Sequence, residues 1–302
     1  MIAWEKALSS DRRMRALTGL DGRGFLELEK RLTPVLEGEL ATRTREGEVR
    51  QRAAGGGRRG VLPTVRHKLW FILFYLKAYP TQDVMGHFFG LSQPQVCARI
   101  GQLLPLLQMV LAVELPARRG RELREVMEHL PEIKEVLIDG TERPLARPQH
   151  RGRRDHYYSK RRRRTTVKNV VVMGGGRVLL LTRTAPGRRH DKSEADRVRM
   201  RLNAGTRVLG DLGFKGYQAG KALVCTPVRR RPGRRLHWRH REFNRTLASE
   251  RVPIEHTLAS IKRLGILRQT LRARRKGMAD DVMLIGCGLY NFRETLRTTR
   301  VK

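Results

Sequence analysis

Acidic residues are scarce in this chain: 29 Asp and Glu face 64 Lys and Arg across 302 residues, a formal net charge of +35. Such an imbalance excludes a partner that is itself basic and points to a polyanion, nucleic acid first. A preference for Arg over Lys follows from a GC-rich genome, but a two-to-one excess of bases over acids does not. Cysteine is nearly absent. Cys97, Cys225 and Cys287 are far apart and show no C-x-x-C spacing, which excludes a disulfide framework and a zinc site. Long apolar runs are missing too. The longest, "LWFILFYL" from Leu69 to Leu76, is far short of the roughly 20 residues that cross a bilayer, and the N-terminal stretch carries no signal-like apolar core. The expectation is a cytoplasmic, nucleoid-associated bacterial protein with no membrane contact.

The pattern along the chain predicts three parts. Residues 1–60 form a helical region, with Leu17, Leu20, Phe25, Leu28, Leu32 and Leu36 mostly three or four apart, closed by a flexible Gly- and Arg-rich linker, "AAGGGRRG" (Ala53–Gly60). Residues 61–130 form a helix-turn-helix DNA-binding domain. A helix ends before Pro80, and then "TQDVMGHFFGLSQPQVCARIGQLLPLL" gives a short helix, a turn at Gly90, a Ser92 N-cap and a second helix with Val96, Ile100 and Leu103 inward. That second helix would present Gln93, Gln95, Arg99 and Gln102 to a DNA groove, although an ordinary helical hairpin has the same pattern.

From about Glu132 the period changes to two, and residues 131–302 are expected to form a mixed α/β core. "IKEVLIDGT" is one strand. "TTVKNVVVMGGGRVLLLTRTA" is a hairpin around Gly174–Gly176. Asp191–Leu202 is helical, Arg207–Tyr217 holds a fourth strand and "KALVCTP" a fifth. Helices from about Arg241 to Leu264 and from Asp280 to Leu296 close the chain. This order fits a ribonuclease-H-like fold preceded by an all-helical DNA-binding domain. Two charge runs interrupt it, "RGRRDHYYSKRRRR" (Arg151–Arg164) and "RRRPGRRLHWRHREFNR" (Arg229–Arg245). They are expected to stay loosely ordered until a phosphate backbone neutralises them, with Lys160, Arg161, Arg162 and Arg235 as contacts and Trp238, Tyr157 and Tyr158 available for base stacking or for pinning the loops to the core.

Against this basic background, "VLIDGT" and "VLGDLGF" each end an apolar strand on an aspartate, Asp139 and Asp211, with a glycine close behind. If the strands are neighbours, the two acids share a pocket; taken singly, each is an ordinary turn-capping Asp. A third acid would come from "NRTLASERVPIEHTLASIKRLGIL", where Arg251, Glu255 and Lys262 lie along one helix face beside an apolar face of Ile254, Leu258 and Ile261. The alternative there is a surface Arg–Glu pair. Three carboxylates suit Mg²⁺, with Mn²⁺ as substitute, and two such ions about 4 Å apart activate a water or 3′-hydroxyl for in-line phosphoryl transfer.

In order and spacing, "VLIDGTERPLARP", "YYSKRRRRTTVKNVVVMGGGRVLLLTRTAPGRRHD", "VLGDLGFKGY" and the Glu255 helix resemble the DDE transposases of bacterial insertion sequences of the Harbinger-related, DDE superfamily endonuclease type, over residues 65–296. The resemblance implies Asp139, Asp211 and Glu255 as catalytic and metal-binding triad, and Arg251 and Lys262, in R-x3-E-x6-K spacing, as contacts to the transposon end. Glu250 lacks that spacing. Asp191, in "GRRHD", matches a recurring position outside the triad and is read as supporting structure. Where relatives carry tyrosines this chain has Ala248 and Phe214, which removes two hydroxyls and keeps the carboxylates. The implied activity is cleavage and strand transfer at terminal inverted repeats of double-stranded DNA by a homo-oligomer. A non-catalytic helix-turn-helix regulator, such as a domesticated transposase, and a ribonuclease-H-like nuclease are the alternatives.

Overall fold

The computed structural model describes residues 4–42, 49, 51, 60–273 and 275–299. They divide into two compact units: Met1–Leu115 with Arg263–Gln269 and Thr295–Lys302, and Pro116–Lys262 with Thr270–Glu294. The expected linker at 53–60 lies, Gly60 excepted, outside the described residues.

The first unit is helical: α1 (Trp4–Leu8), α2 (Asp11–Thr18), α3 (Gly22–Thr42), α4 (Val65–Ala78), α5 (Gln82–Phe89) and α6 (Gln93–Val110). Every residue of α4 from Leu69 to Leu76 is buried, so it is a central helix, apolar all round. Leu20, Phe25, Leu28, Leu32 and Leu36 are buried as their spacing predicts; Leu17 is only half-buried, because α2 ends at Thr18 and Met14 takes the inward position. Two glycines make the turn between α5 and α6. Gly90 closes α5 at φ 65°, a left-handed conformation that a side chain disfavours. Gly86 lets the Leu91 carbonyl oxygen come within 2.4 Å of where a Cβ would stand. The α6 N-terminus is capped by Gln95, whose Oε1 accepts from the Ser92 backbone N–H at 3.0 Å, and Val96, Ile100 and Leu103 are buried as expected.

The second unit is built on one mixed sheet. Its strands are β1 (Glu135–Pro144), β2 (Tyr158–Ser159), β3 (Arg164–Gly174), β4 (Arg177–Leu181), β5 (Ala185–Pro186), β6 (Arg207–Leu209) and β7 (Leu223–Cys225). The order is β4–β3–β1–β6–β7, with β2 and β5 pairing along the other half of β3. β1, β3 and β4 are antiparallel neighbours, and β6 and β7 run parallel to β1, which is the ribonuclease-H-like arrangement. The β3–β4 turn places Gly175 at φ 55° and Gly176 at φ 75°, the two left-handed positions that a tight hairpin requires.

Helices α7 (Gly120–Glu128), α8 (Arg151–Tyr157), α9 (Asp191–Val198), α10 (Trp238–Ile261) and α11 (Met278–Thr298) complete the chain. Ile138, Val170, Val172, Val208 and Phe214 form one apolar core with Leu123 of α7 and Ala195 of α9. α10 packs against β1 and β6, burying Leu247, Ile254, Leu258 and Ile261. Asn291 of α11 pairs with both backbone groups of Val178 at 2.8 and 2.9 Å, so an amide covers part of the β4 edge.

Several boundaries differ from expectation. β1 does not end on Asp139 but runs on to Pro144, held by its pairing with β3; the fourth strand stops at Leu209, because Asp211 turns the chain into a short 3₁₀ segment, and α9 stops at Val198, followed by Arg199 at φ 53°. Neither charge run is wholly loop. The first contains α8, and the second runs into α10, which begins at Trp238 rather than Arg241. Arginine is a good helix former, and on an exposed helix its charges radiate into water. Asn244 also anchors the second run, bonding the Val228 backbone N–H at 2.8 Å and its carbonyl at 3.1 Å.

Candidate active site at the strand ends

The β1–β6 pairing decides what the sequence left open. Leu137 pairs with Leu209 in parallel register, so one step further Ile138 meets Gly210, whose missing Cβ would stand 3.1 Å from Ile138 Cγ2. Two residues past the last pair, Asp139 lies within β1 and Asp211 in the turn that follows β6, near enough for the charge of one to act on the other. Asp139 is largely buried, and its Oδ1 accepts from the Gly140 backbone N–H at 2.8 Å. Burial lifts its carboxyl to a pKa of about 6; the Gly140 N–H and the Arg251 guanidinium oppose the shift, and the charges of Asp211 and Asp191 add to it. Asp211 caps the turn after β6, accepting from the Gly213 backbone N–H at 2.8 Å.

α10 brings Arg251 to the same place. Its Nη2 lies 3.9 Å from Asp139 Oδ1, while its buried Nε has no hydrogen-bond partner among the described residues. Glu255, one turn on, is exposed and makes no hydrogen bond or ion pair among the described residues. Glu250 is engaged elsewhere: Arg207 binds it at 3.1 Å and Glu135 at 3.0 Å. Lys262 follows α10, and its ammonium is held below the ordinary lysine range first by burial, then by the Arg162 and Arg143 charges, against Asp139 and Glu142. Arg162 belongs to the exposed β2–β3 turn together with Lys160 and Arg161, and its charge reaches Lys262.

Asp191, expected to be supporting structure outside the triad, packs against Gly140 and Gly213, the glycines behind the two aspartates. At the start of α9, its carboxylate occupies the space beneath Gly140, where a Cβ would lie 2.4 Å from Oδ1, and a Cβ on Gly213 would lie 3.4 Å from Oδ2. The glycine of "D-G" therefore makes room for Asp191, while that of "D-x-G" makes room chiefly for Asp211 Oδ1, 2.9 Å from its missing Cβ, with Asp191 in ordinary contact. Successive side chains alternate across a strand, so Asp191 meets β1 on the face opposite Asp139. There Lys168 bridges Asp191 at 2.9 Å and Glu142 at 3.4 Å. The sign of this cluster in the sequence was the acid of "GRRHD", read there as supporting structure.

Two hard oxygen-donor carboxylates side by side suit a divalent cation better than they suit each other. Asp191 Oδ1, buried and without an aligned hydrogen bond despite the nearby ammonium, adds to the same field. Among the described residues no three His, Cys, Asp or Glu side chains stand together as a set that could hold a metal ion, so the structure does not bring Glu255 into one group with Asp139 and Asp211.

Residues 138–291 match the family model of the DDE superfamily endonuclease, and residues 61–112 match the helix-turn-helix of DDE superfamily endonuclease. This chain belongs to the DDE superfamily endonuclease family. The endonuclease match covers every strand-end and α10 residue named above. A similar curated protein is the probable transposase for insertion sequence element IS702 of Microchaete diplosiphon, 24% identical over 241 residues, which cover 80% of this chain and 84% of that one. No solved structure matches the chain significantly.

In the family's helix-turn-helix, the polar positions of α6 are partly occupied within the protein. Gln93 Nε2 bonds Gln82 Oε1, Gln95 caps the helix, and Arg99 Nη1 donates to Gln102 Oε1 at 2.9 Å. Gln93 and Gln95 are exposed, Arg99 half-buried. Arg235 is exposed, and Trp238 is 55% exposed with the Arg239 guanidinium 5.3 Å above its ring. No helix among the described residues is long and apolar enough to cross a membrane.

Proposed function

We propose that this DDE-family chain is a transposase: it binds the terminal inverted repeats of its element through α5 and α6 and performs metal-dependent cleavage and strand transfer at the strand ends of the sheet. The observation that carries this reading is the proximity of Asp139, within β1, to Asp211, in the turn after the neighbouring parallel strand β6, in a chain that also carries the family's helix-turn-helix.

Asp139 and Asp211 would hold Mg²⁺, or Mn²⁺ in its place, with Glu255 completing the set from α10; two ions in such a site supply a nucleophile at neutral pH and stabilise the leaving oxygen. The chain's own residues do the rest. Arg251, beside Asp139, and Lys262, close by, present positive charge to the scissile phosphate, and Lys160, Arg161, Arg162 and Arg235 hold the flanking backbone. Trp238 offers a face to an unpaired base. Water adds to phosphorus, the P–O3′ bond breaks and the 3′-oxygen leaves as a hydroxyl. That 3′-OH then attacks a phosphate of the target DNA, one P–O bond forming as another breaks. Joining two ends requires at least two protomers on DNA.

The deciding experiment is nicking of a duplex bearing the element's end with Mg²⁺ or Mn²⁺, comparing wild type, Asp139→Asn, Glu255→Gln and Glu250→Gln. Rates should fall by about 10²-fold or more for the first two variants, the upper range for disturbing a metal site, and stay near wild type for Glu250→Gln, with DNA binding kept throughout. Wild type that binds the end and never cuts would leave the regulator reading; cutting without joining would leave the nuclease.

A further inference from the structure

One buried cation of this core is not used in the reaction outlined above. Lys168 sits within β3 and is 5% exposed. Its ammonium donates to the Arg189 carbonyl at 2.8 Å and lies 2.9 Å from Asp191 Oδ1 and 3.4 Å from Glu142 Oε1. Glu142 is Lys168's cross-strand partner in the β1–β3 register and also accepts from Thr166 Oγ1 at 3.2 Å. A buried charge persists only where it is paired, and here one ammonium serves two carboxylates.

What Lys168 holds is mechanically connected to Asp139 and Asp211. Asp191 lies against the backbone of Gly140, whose N–H binds Asp139, and close to Gly213, whose N–H binds Asp211. The ladder between β1 and β6 ends at Leu137 and Leu209, so the turn carrying Asp211 lies beyond the last strand pairing. We propose that Lys168 is a positioning residue: through its ion pair it holds Asp191 as a strut between Gly140 and Gly213, and so sets the spacing of Asp139 and Asp211 at which they bind a divalent cation. This rests on the metal-dependent reading of the same pocket. Lys168 touches neither DNA nor the reacting atoms in this scheme, and it acts by fixing backbone that the acids depend on.

The test is Mn²⁺ binding to the full chain by calorimetry, without DNA, alongside end nicking, for wild type, Lys168→Met, Asp191→Asn and Glu142→Gln. Asp191→Asn keeps the volume beneath Gly140 and decides the matter if Lys168→Met does not fold. Mn²⁺ affinity should fall about 10–100-fold in Lys168→Met and Asp191→Asn, the range typical of residues that support metal ligands. It should change by less than about 3-fold in Glu142→Gln, which leaves the Lys168–Asp191 pair intact. The Mn²⁺ concentration for half-maximal nicking should move in parallel, with KM for the DNA end unchanged. Wild-type affinity in a folded Lys168→Met or in Asp191→Asn overturns the strut while leaving the transposase reading intact. A wild type that binds no Mn²⁺ overturns both. Mn²⁺ binding that weakens as stated, in a chain that never nicks, supports the strut and defeats catalysis alone.

Discussion

The start of α6 and the strand-end pocket are both rich in polar side chains, and they differ in how those groups are satisfied. On α6 each has a neighbour that completes it: Gln95 caps Ser92, Arg99 meets Gln102, and Gln93 meets Gln82. At the strand ends the groups are left unfinished. Arg251 Nε has no hydrogen-bond partner among the described residues, Asp191 Oδ1 accepts no aligned bond, and Asp139 is lifted to about 6. A surface that reads DNA exchanges its exposed hydrogen bonds for others at little cost. A site that does chemistry keeps buried charge in a state that only its ligand relieves.

The sharpest way to test that contrast is pH. The carboxyl of Asp139 rises from 3.8 unfolded to about 6 folded, so between those values the folded chain keeps a proton that the unfolded chain has lost. Metal-free stability should therefore fall as pH rises through that window, by about 3 kcal/mol at most for a shift of this size. Paired acids such as Asp280, whose carboxyl the Arg118 guanidinium and the Thr184 N–H and hydroxyl hold low against its burial, slope the other way. The quantity to measure is therefore the difference between wild type and Asp139→Asn in denaturant midpoints at pH 4.5 and 7; equal slopes would show that the pocket holds its charge without strain. Saturating Mg²⁺ at pH 7 should recover the lost stability.

Gly140→Ala acts on the same pocket through volume. The new Cβ would stand 2.4 Å from Asp191 Oδ1, so strand or carboxylate must shift. Overpacking of this kind costs about 1–3 kcal/mol, visible in thermal melting, and should weaken nicking along with it. If Gly140→Ala melts like wild type and cuts normally, Asp191 is free to move and the close fit has no functional weight.

The smallest effect belongs to α6. Gln95→Ala removes a cap and should destabilise the first unit by about 1 kcal/mol, with a similar loss of end binding. Arg99→Ala should leave melting within about 0.5 kcal/mol and lose discrimination between the element's end and a scrambled duplex by about 1–3 kcal/mol. Opposite outcomes would assign Arg99 to the fold and Gln95 to the DNA.

Much of this molecule was legible in advance, because its strongest signals are local. The apolar run of α4, the glycine turn before Ser92 and the paired glycines of the β3–β4 hairpin each act within a few residues. Asp139 and Asp211 stood out for the same reason, although Asp139 lies within β1 and Asp211 in the turn after β6. Boundaries were less legible in the basic runs, where helix propensity and the Asn244 anchor outweigh charge repulsion, as α8 and the early start of α10 show.

The sequence alone determined the class of partner, through its charge, and the types of element, through periodicity and turn chemistry. Only the tertiary structure decided which acids share a pocket. β1 and β6 are separated by some sixty residues of chain and become neighbours through sheet pairing, which no local pattern encodes. Asp191 and Lys168 acquired their places in the same way. A carboxylate beneath a glycine and an ammonium between two acids exist only once three strands and a helix have closed around them, since burial makes their pairing obligatory.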